Sequence, residues 1–243
     1  MHRFFVTPQW SDSDRVVIGG RQVHQIRDVL RMKPGDRIAI LDNTGWKYEV
    51  EIRNLSREHV EGTIHSRRQI DEPIINITLY QALLKSDRFE FVLQKCTEIG
   101  VSKFVPVVYQ RCTARQPSAA KVDRWQNIIR ESAEQSGRGR LPKLDPAMNF
   151  EQACRSSARP ALLAFQGGNA RGLRQLWQHG APSGDSISIF IGPEGGFSES
   201  EVELACQCGL TPVTLGRRVL RAETAGLVAI TLVLYECGDL TGE

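Results

Sequence analysis

The rhythm of apolar and polar positions changes near residue 70. Before it, Trp46, Tyr48, Val50 and Ile52 each precede a polar residue, the two-residue period of a strand with one buried and one wet face. Arg3–Val6, Val16–Ile18, Arg37–Leu41, Trp46–Arg53 and His59–His65 read as short strands, with Lys33-Pro34-Gly35-Asp36 and Asp42-Asn43-Thr44-Gly45 as turns. One helix over roughly Gln22–Arg31 places Val23, Ile26, Val29 and Leu30 at core spacing. Closure of such short strands predicts a small β-barrel. Arg67-Arg68-Gln69-Ile70-Asp71-Glu72-Pro73 then breaks the pattern with charge and proline, dividing the chain into domains of residues 1–71 and 72–243.

Beyond Pro73, long apolar strands alternate with helices, the mark of an α/β domain with a mostly parallel sheet covered on both faces. Ile74–Leu84, Lys103–Tyr109, Ala161–Phe165, Ser186–Ile191 and Thr211–Leu215 are its strands. Ser86 is placed to cap a helix that carries Phe89, Val92, Leu93 and Cys96 and ends at Gly100. Helical spacing returns at Trp125, Ile128, Ile129, Ser132 and Ala133, again near Leu173–Gln178, and in Glu223–Cys237. Ser198-Glu199-Ser200-Glu201 is a capping box, opening a helix that Gly209 closes.

With 243 residues, 41% of them hydrophobic, the chain is long enough for a sizeable core, and its formal charge of +3 is modest. The basic residues are nevertheless concentrated. Arg111, Arg115, Lys121, Arg124, Arg130, Arg138, Arg140 and Lys143 meet only Asp123, Glu131 and Glu134, which makes that stretch a candidate anionic-ligand face. The six cysteines form no CxxC pair, and Cys206-Gln207-Cys208 lacks a His cluster, so reduced thiols and no metal are expected. Met1–Val6 opens no apolar leader and no run approaches a membrane span, which predicts a cytoplasmic protein.

Candidate chemistry lies in two loops that follow apolar strands: Ile191-Gly192-Pro193-Glu194-Gly195-Gly196 and Leu215-Gly216-Arg217-Arg218-Val219-Leu220-Arg221-Ala222-Glu223-Thr224-Ala225. Loops at strand ends are where open α/β sheets build ligand sites. Neither loop has the spacing of a dinucleotide fingerprint or the Gly-Lys-Ser/Thr ending of a P-loop, so the common phosphate cradles are disfavoured. Glycines there let main-chain groups approach a ligand, while Val219, Leu220, Ala222 and Ala225 woven between charges suit a packed loop with one polar edge.

Those two loops, with Lys95-Cys96-Thr97-Glu98-Ile99-Gly100-Val101 and Glu134-Gln135-Ser136-Gly137-Arg138, resemble the ribosomal RNA small subunit methyltransferase E family of the SPOUT superfamily over nearly the whole chain. His24-Gln25-Ile26-Arg27-Asp28-Val29-Leu30-Arg31 with Gly35-Asp36 is similar to that family's PUA-like RNA-binding barrel. The resemblance implies S-adenosylmethionine-dependent methylation of N3 of one uridine in 16S ribosomal RNA, with the small ribosomal subunit as context. It also implies a trefoil knot in the C-terminal domain and a homodimer, for which Leu227, Val228, Ile230, Thr231 and Leu234 offer an apolar helix face. At Phe165-Gln166-Gly167 the chain departs from the shorter polar or proline-bearing loop expected of the family.

On that resemblance the cofactor is wrapped by Leu163 and Phe165, by Ile191, Gly192, Pro193, Glu194 and Gly195, and by Leu215, Gly216, Val219, Leu220, Arg221, Glu223, Thr224 and Ala225. Methyl transfer to a uridine requires loss of the N3 proton; Arg221 would stabilise the resulting anion and Glu194 would accept the proton. Glu223, at a helix start, would instead hold Arg221 or Arg217 in place. RNA phosphates would meet His24 and Arg31 on the barrel and Arg111, Arg115, Arg138 and Arg140 on the larger domain. Two other readings stay open from the residues: a non-catalytic RNA-binding protein of ribosome assembly, and an α/β enzyme that clamps a small anion with Arg217, Arg218 and Arg221.

Overall fold

Two sheets with separate apolar clusters underlie the change of rhythm. The computed structural model describes residues 1–7, 9–12, 14–114, 116–168, 170–178 and 184–240, with the backbone alone for 9–12 and 86. By contacts the chain forms two units, one of Met1–Glu72 with Ala133–Leu141, the other of Pro73–Ser132 with Pro142–Glu243.

The smaller unit holds β1 (Arg3–Phe5), β2 (Gln9–Asp12), β3 (Arg15–Gly19), α1 (Arg21–His24), β4 (Arg37–Leu41), β5 (Trp46–Leu55) and β6 (His59–Gln69). Among the described residues its six strands run in the order β1-β4-β5-β6-β3-β2, antiparallel except for β1 beside β4. Register shifts at Glu49/Val50 and Ile52/Asn54 bend the long β5–β6 pair, as bulges do, around Ile38, Val50, Ile52 and Val60. β6 extends to Gln69, so Arg67 and Arg68 are strand residues rather than linker.

The helix expected over Gln22–Arg31 is one α-turn that continues as a π-helix over Gln25–Val29. Leu30 N–H bonds the Gln25 carbonyl at 2.9 Å, the wider i→i+5 closure. The extra residue per turn rotates the stripe: Ile26 stays fully buried while Val29, assigned to the core by its spacing, is 63% exposed.

Ala133–Leu141 supplies this unit with a second small cluster, in which Ala133 and Leu141 pack on Phe5, Leu41 and Ile70. Glu72 pins the segment. Its carboxylate accepts from Arg138 Nε and Nη2 at 3.1 and 2.6 Å and from the N–H groups of Gly139 and Arg140 at 2.8 and 3.0 Å. Arg140 Nη2 donates to the Thr44 carbonyl at 3.1 Å, and Leu141 N–H to Asn43 Oδ1 at 2.7 Å.

The larger unit runs β7 (Asn76–Ala82), α2 (Ser86–Ile99), β8 (Lys103–Val108), α3 (Ala119–Ser136, its last turn counted with the smaller unit), β9 (Lys143–Leu144), β10 (Met148–Asn149), α4 (Phe150–Ser156) and β11 (Ala161–Ala164). β12 (Arg171–Gly172), α5 (Leu173–Leu176), β13 (Ser186–Ile191), α6 (Glu199–Gln207), β14 (Thr211–Thr214) and α7 (Ala222–Glu236) complete it. The strands pair in parallel in the order β10-β8-β7-β13-β11-β14-β12, with β9 on β8. A sheet covered on both faces needs continuous apolar strands, and β13 is buried from Ile187 to Ile191.

Helix ends follow local chemistry. Ser198 Oγ accepts from Glu201 N–H at 3.2 Å while the Glu201 carboxylate accepts from Ser198 N–H at 2.8 Å, the expected capping box. Asn149 and Gln152 form a second box at the start of α4, a helix the periodicity did not reveal. α2 begins at Ser86 itself, with Lys85 in the N-cap position. Ile230, Val233 and Leu234 of α7 are fully buried within this unit, so two residues of the expected dimer face belong to the core.

Candidate functional site

Three loops at the C-terminal ends of β11, β13 and β14 enclose a cavity of about 390 Å³. That lies within the ~300–1,000 Å³ common for small-molecule sites. Ala164, Phe165 and Gln166 come from the first loop; Ile191, Gly192, Pro193, Glu194, Gly196 and Phe197 from the second; Leu215, Gly216, Arg218, Val219, Leu220, Arg221, Ala222 and Ala225 from the third and the helix it feeds. Adjacent parallel strands β13, β11 and β14 bring the loops together. Gln166 Nε2 donates to the Gly216 carbonyl at 3.2 Å, joining first and third.

The first loop is shaped by its aromatic residue. Phe165 folds its ring back over Gly167, where a Cβ would lie 2.2 Å from the ring, and meets Phe197 of the second loop with centroids 6.3 Å apart. Glycine is therefore the residue that fits there. The two rings add a flat apolar wall.

Of the residues assigned to the cofactor, Phe165, Ile191, Gly192, Pro193, Glu194, Leu215, Gly216, Val219, Leu220, Arg221 and Ala225 line the cavity. Leu163 does not: it is fully buried inside β11. Gly195, Glu223 and Thr224 lie outside the lining, and Gly195 serves instead as an acceptor, its carbonyl taking a 2.9 Å bond from Arg111 Nη1.

Sequence reasoning missed Arg88, on the first turn of α2. Its Nη1 is 2.8 Å from Glu194 Oε1 and its Nε 3.9 Å from Glu223 Oε1, so one guanidinium spans the carboxylates of two loops. Glu223 was expected to hold Arg221 or Arg217; Arg88 is its cation instead, and Glu223 Oε2 is buried without a hydrogen-bond partner. The signal that could have found Arg88 is positional. α2 starts just past β7, whose Gln81 pairs with Ile191 at the head of the second loop.

The residues assigned to RNA divide sharply. Arg138 is 9% exposed and committed to Glu72, so burial in an ion pair excludes it from a phosphate-binding surface. Arg111 and Arg140 each hold a backbone carbonyl. His24 Nδ1 sits 2.6 Å from Asp28, and Arg27 with His24 holds the Asp28 carboxyl far below the usual range. Arg31 is exposed, at φ 53°, and Arg115 falls outside the described residues. Arg217, Arg218 and Arg221 are exposed, and their side chains make no hydrogen bond or ion pair among the described residues.

The donor set suits a cofactor with a flat base and a zwitterionic tail: apolar walls from Phe165, Ile191, Leu215 and Leu220, and a rim that carries Glu194, Arg218 and Arg221. Residues 71–234 match the family model of an RNA methyltransferase domain and residues 18–64 that of an RNA methyltransferase PUA domain. The fold and the strand-end cavity thus define a SPOUT-type RNA methyltransferase preceded by a PUA-like domain. The chain is 31% identical to the ribosomal RNA small subunit methyltransferase E of Bacillus subtilis (strain 168), each covered in full. It is 34% identical to the protein of that name in Synechocystis, over 96% of this chain and 77% of the relative. A Neisseria gonorrhoeae ribosomal RNA small subunit methyltransferase E solved with S-adenosyl methionine superimposes with a TM-score of 0.86 at 33% identity, covering 97% of both chains. A Legionella pneumophila protein solved with its cofactor SAM gives 0.85 at 28% identity over 96% of each. The chain belongs to the ribosomal RNA small subunit methyltransferase E family.

Proposed function

We propose that the protein methylates N3 of a uridine in 16S ribosomal RNA of the small subunit with S-adenosylmethionine as donor, as a cytoplasmic homodimer. The observation that carries this reading is the three-loop cavity at the strand ends, in a chain 33% identical to a relative solved with that cofactor. The loops around it are the segments proposed to form the trefoil knot.

S-adenosylmethionine supplies a methyl group already activated on a sulfonium, so the protein's work is alignment and charge. Phe165, Ile191, Leu215 and Leu220 give the base an apolar slot. Arg221, the N-cap residue of α7, lines the cavity, its side chain without a partner among the described residues, and its guanidinium is available to O4 or O2 of a uridine that has lost its N3 proton. Glu194 is the carboxylate among the lining residues; to take that proton it must first be released by Arg88. Glu194→Gln separates proton transfer from loop holding. Turnover lost with cofactor affinity intact marks a proton acceptor, whereas loss of both marks an anchor.

A dimer is supported by exposed apolar side chains on the larger unit, Ile74 at 70%, Phe91 at 42% and Tyr235 at 59%, and light scattering tests it. The function is tested by mass spectrometry of 16S ribosomal RNA from cells with and without the protein. One N3-methyluridine is expected to disappear with the gene, and an unchanged spectrum would refute the assignment.

A further inference from the structure

On β5 and β6 nearly every cation has a partner. Arg53 and His65 meet Glu51 at 2.6 and 2.7 Å, His59 meets Glu61 at 3.0 Å, and Arg67 lies over the Trp46 ring at 5.3 Å. Lys47 and Arg68 are the exceptions among the described residues of these strands. They sit directly opposite each other in the β5–β6 register, and neither side chain makes a hydrogen bond or ion pair among the described residues. The nearest acid along the strand, Glu49, is taken by Arg37 from β4 at 2.8 Å.

Like charges directly across a strand pair destabilise it, and among the described residues no carboxylate forms an ion pair with either side chain. Lys47 bears the mark: its ammonium is pushed below the usual lysine value, first by partial burial and then by Arg68 and Arg3, with Glu49 opposing. Arg3 adds a third positive charge while its own guanidinium holds the carbonyls of Glu134 and Gln135. A fold that keeps a cationic pair without a carboxylate bound to either head, Lys47 half-buried and Arg68 exposed beyond the last β3–β6 partner at Thr63, is suited to an external anion.

We propose that Lys47 and Arg68 form a phosphate-docking pair for the backbone of the RNA substrate. This rests on the reading that the substrate is ribosomal RNA. Two heads on opposed Cβ atoms, about 5 Å apart at their base, can close on a single phosphodiester, and such contacts position RNA without reading sequence. Neither residue falls in the basic stretch Arg111–Lys143, and Lys47 and Arg68 are 21 positions apart, so charge counting along the chain does not bring them together.

The test is Arg68→Glu, which creates an ion pair with Lys47. In vitro transcribed 16S ribosomal RNA is titrated across a range of salt, with S-adenosylmethionine affinity and thermal midpoint measured alongside. RNA affinity is expected to fall about tenfold, with the slope of log affinity against log salt shallower by about 1–2. Cofactor affinity stays unchanged, and the midpoint holds or rises by about one to three degrees. RNA affinity that persists overturns the proposal, as does a midpoint that falls along with it. Binding weakened on assembled subunits but intact on naked RNA would put an acidic protein surface there and equally overturn it. Wild-type protein that binds no RNA overturns the functional reading itself, and the docking pair with it.

Discussion

The segments 137–141 and 216–221 are alike in composition, each a glycine followed by closely spaced arginines, and opposite in use. In the first, Arg138 is 9% exposed against Glu72 and Arg140 holds Thr44. In the second, the side chains of Arg217, Arg218 and Arg221 have no partner among the described residues, Val219 between them is 86% exposed, and the loop borders the cavity. A count of positive charge cannot separate these cases. Whether the guanidinium donors are already satisfied within the chain can.

The hardest blow to that contrast is Glu72→Ala. Removing Glu72 takes the paired carboxylate from a buried guanidinium and the acceptor from two N–H groups, so denaturant unfolding should show a loss of about 3–5 kcal/mol; a change within about 0.5 kcal/mol would erase the distinction. Arg221→Ala acts on the other loop. It should leave stability near wild type and S-adenosylmethionine affinity largely intact while turnover drops about 100- to 1,000-fold. Equal losses of affinity and turnover would make Arg221 a binding residue.

Two weaker substitutions sharpen the contrast around the second loop. A Cβ at Gly226, in the helix that this loop feeds, would lie 2.9 Å from Gln81 Oε1, which is buried and without a hydrogen bond. Gly226→Ala should therefore destabilise by about 1–3 kcal/mol in thermal unfolding. Ser198→Ala, which removes half of the capping box beyond the Glu194 loop, should cost about 1 kcal/mol by the same measurement.

Much of this architecture was legible where a residue's role is set by its neighbours in sequence. The apolar runs of β7 and β13, the stop at Gly100 and the Ser198–Glu201 box all follow from local periodicity or capping. What was not legible depends on distance along the chain. Arg138 and Glu72 are 66 residues apart, and Arg88 and Glu194 are 106 apart, so neither pairing leaves a trace in spacing. Val29 was lost for a subtler reason: a π-turn breaks the period on which its assignment relied. Asn149 and Gln152 form a capping box without the usual Ser/Thr and Glu, so its signal in the sequence is weaker than that of Ser198 and Glu201.

The return of Ala133–Leu141 to the smaller unit has a consequence for anyone who would cut or recombine the gene. A fragment ending at Glu72 would carry Phe5, Leu41 and Ile70 without the side chains that cover them, and a carboxylate stripped of four donors. A chimaera with one crossover at the apparent boundary would inherit the same defect. Exchanging the smaller unit for that of a relative demands a matched second insert, nine residues long, from deep within the other half of the chain.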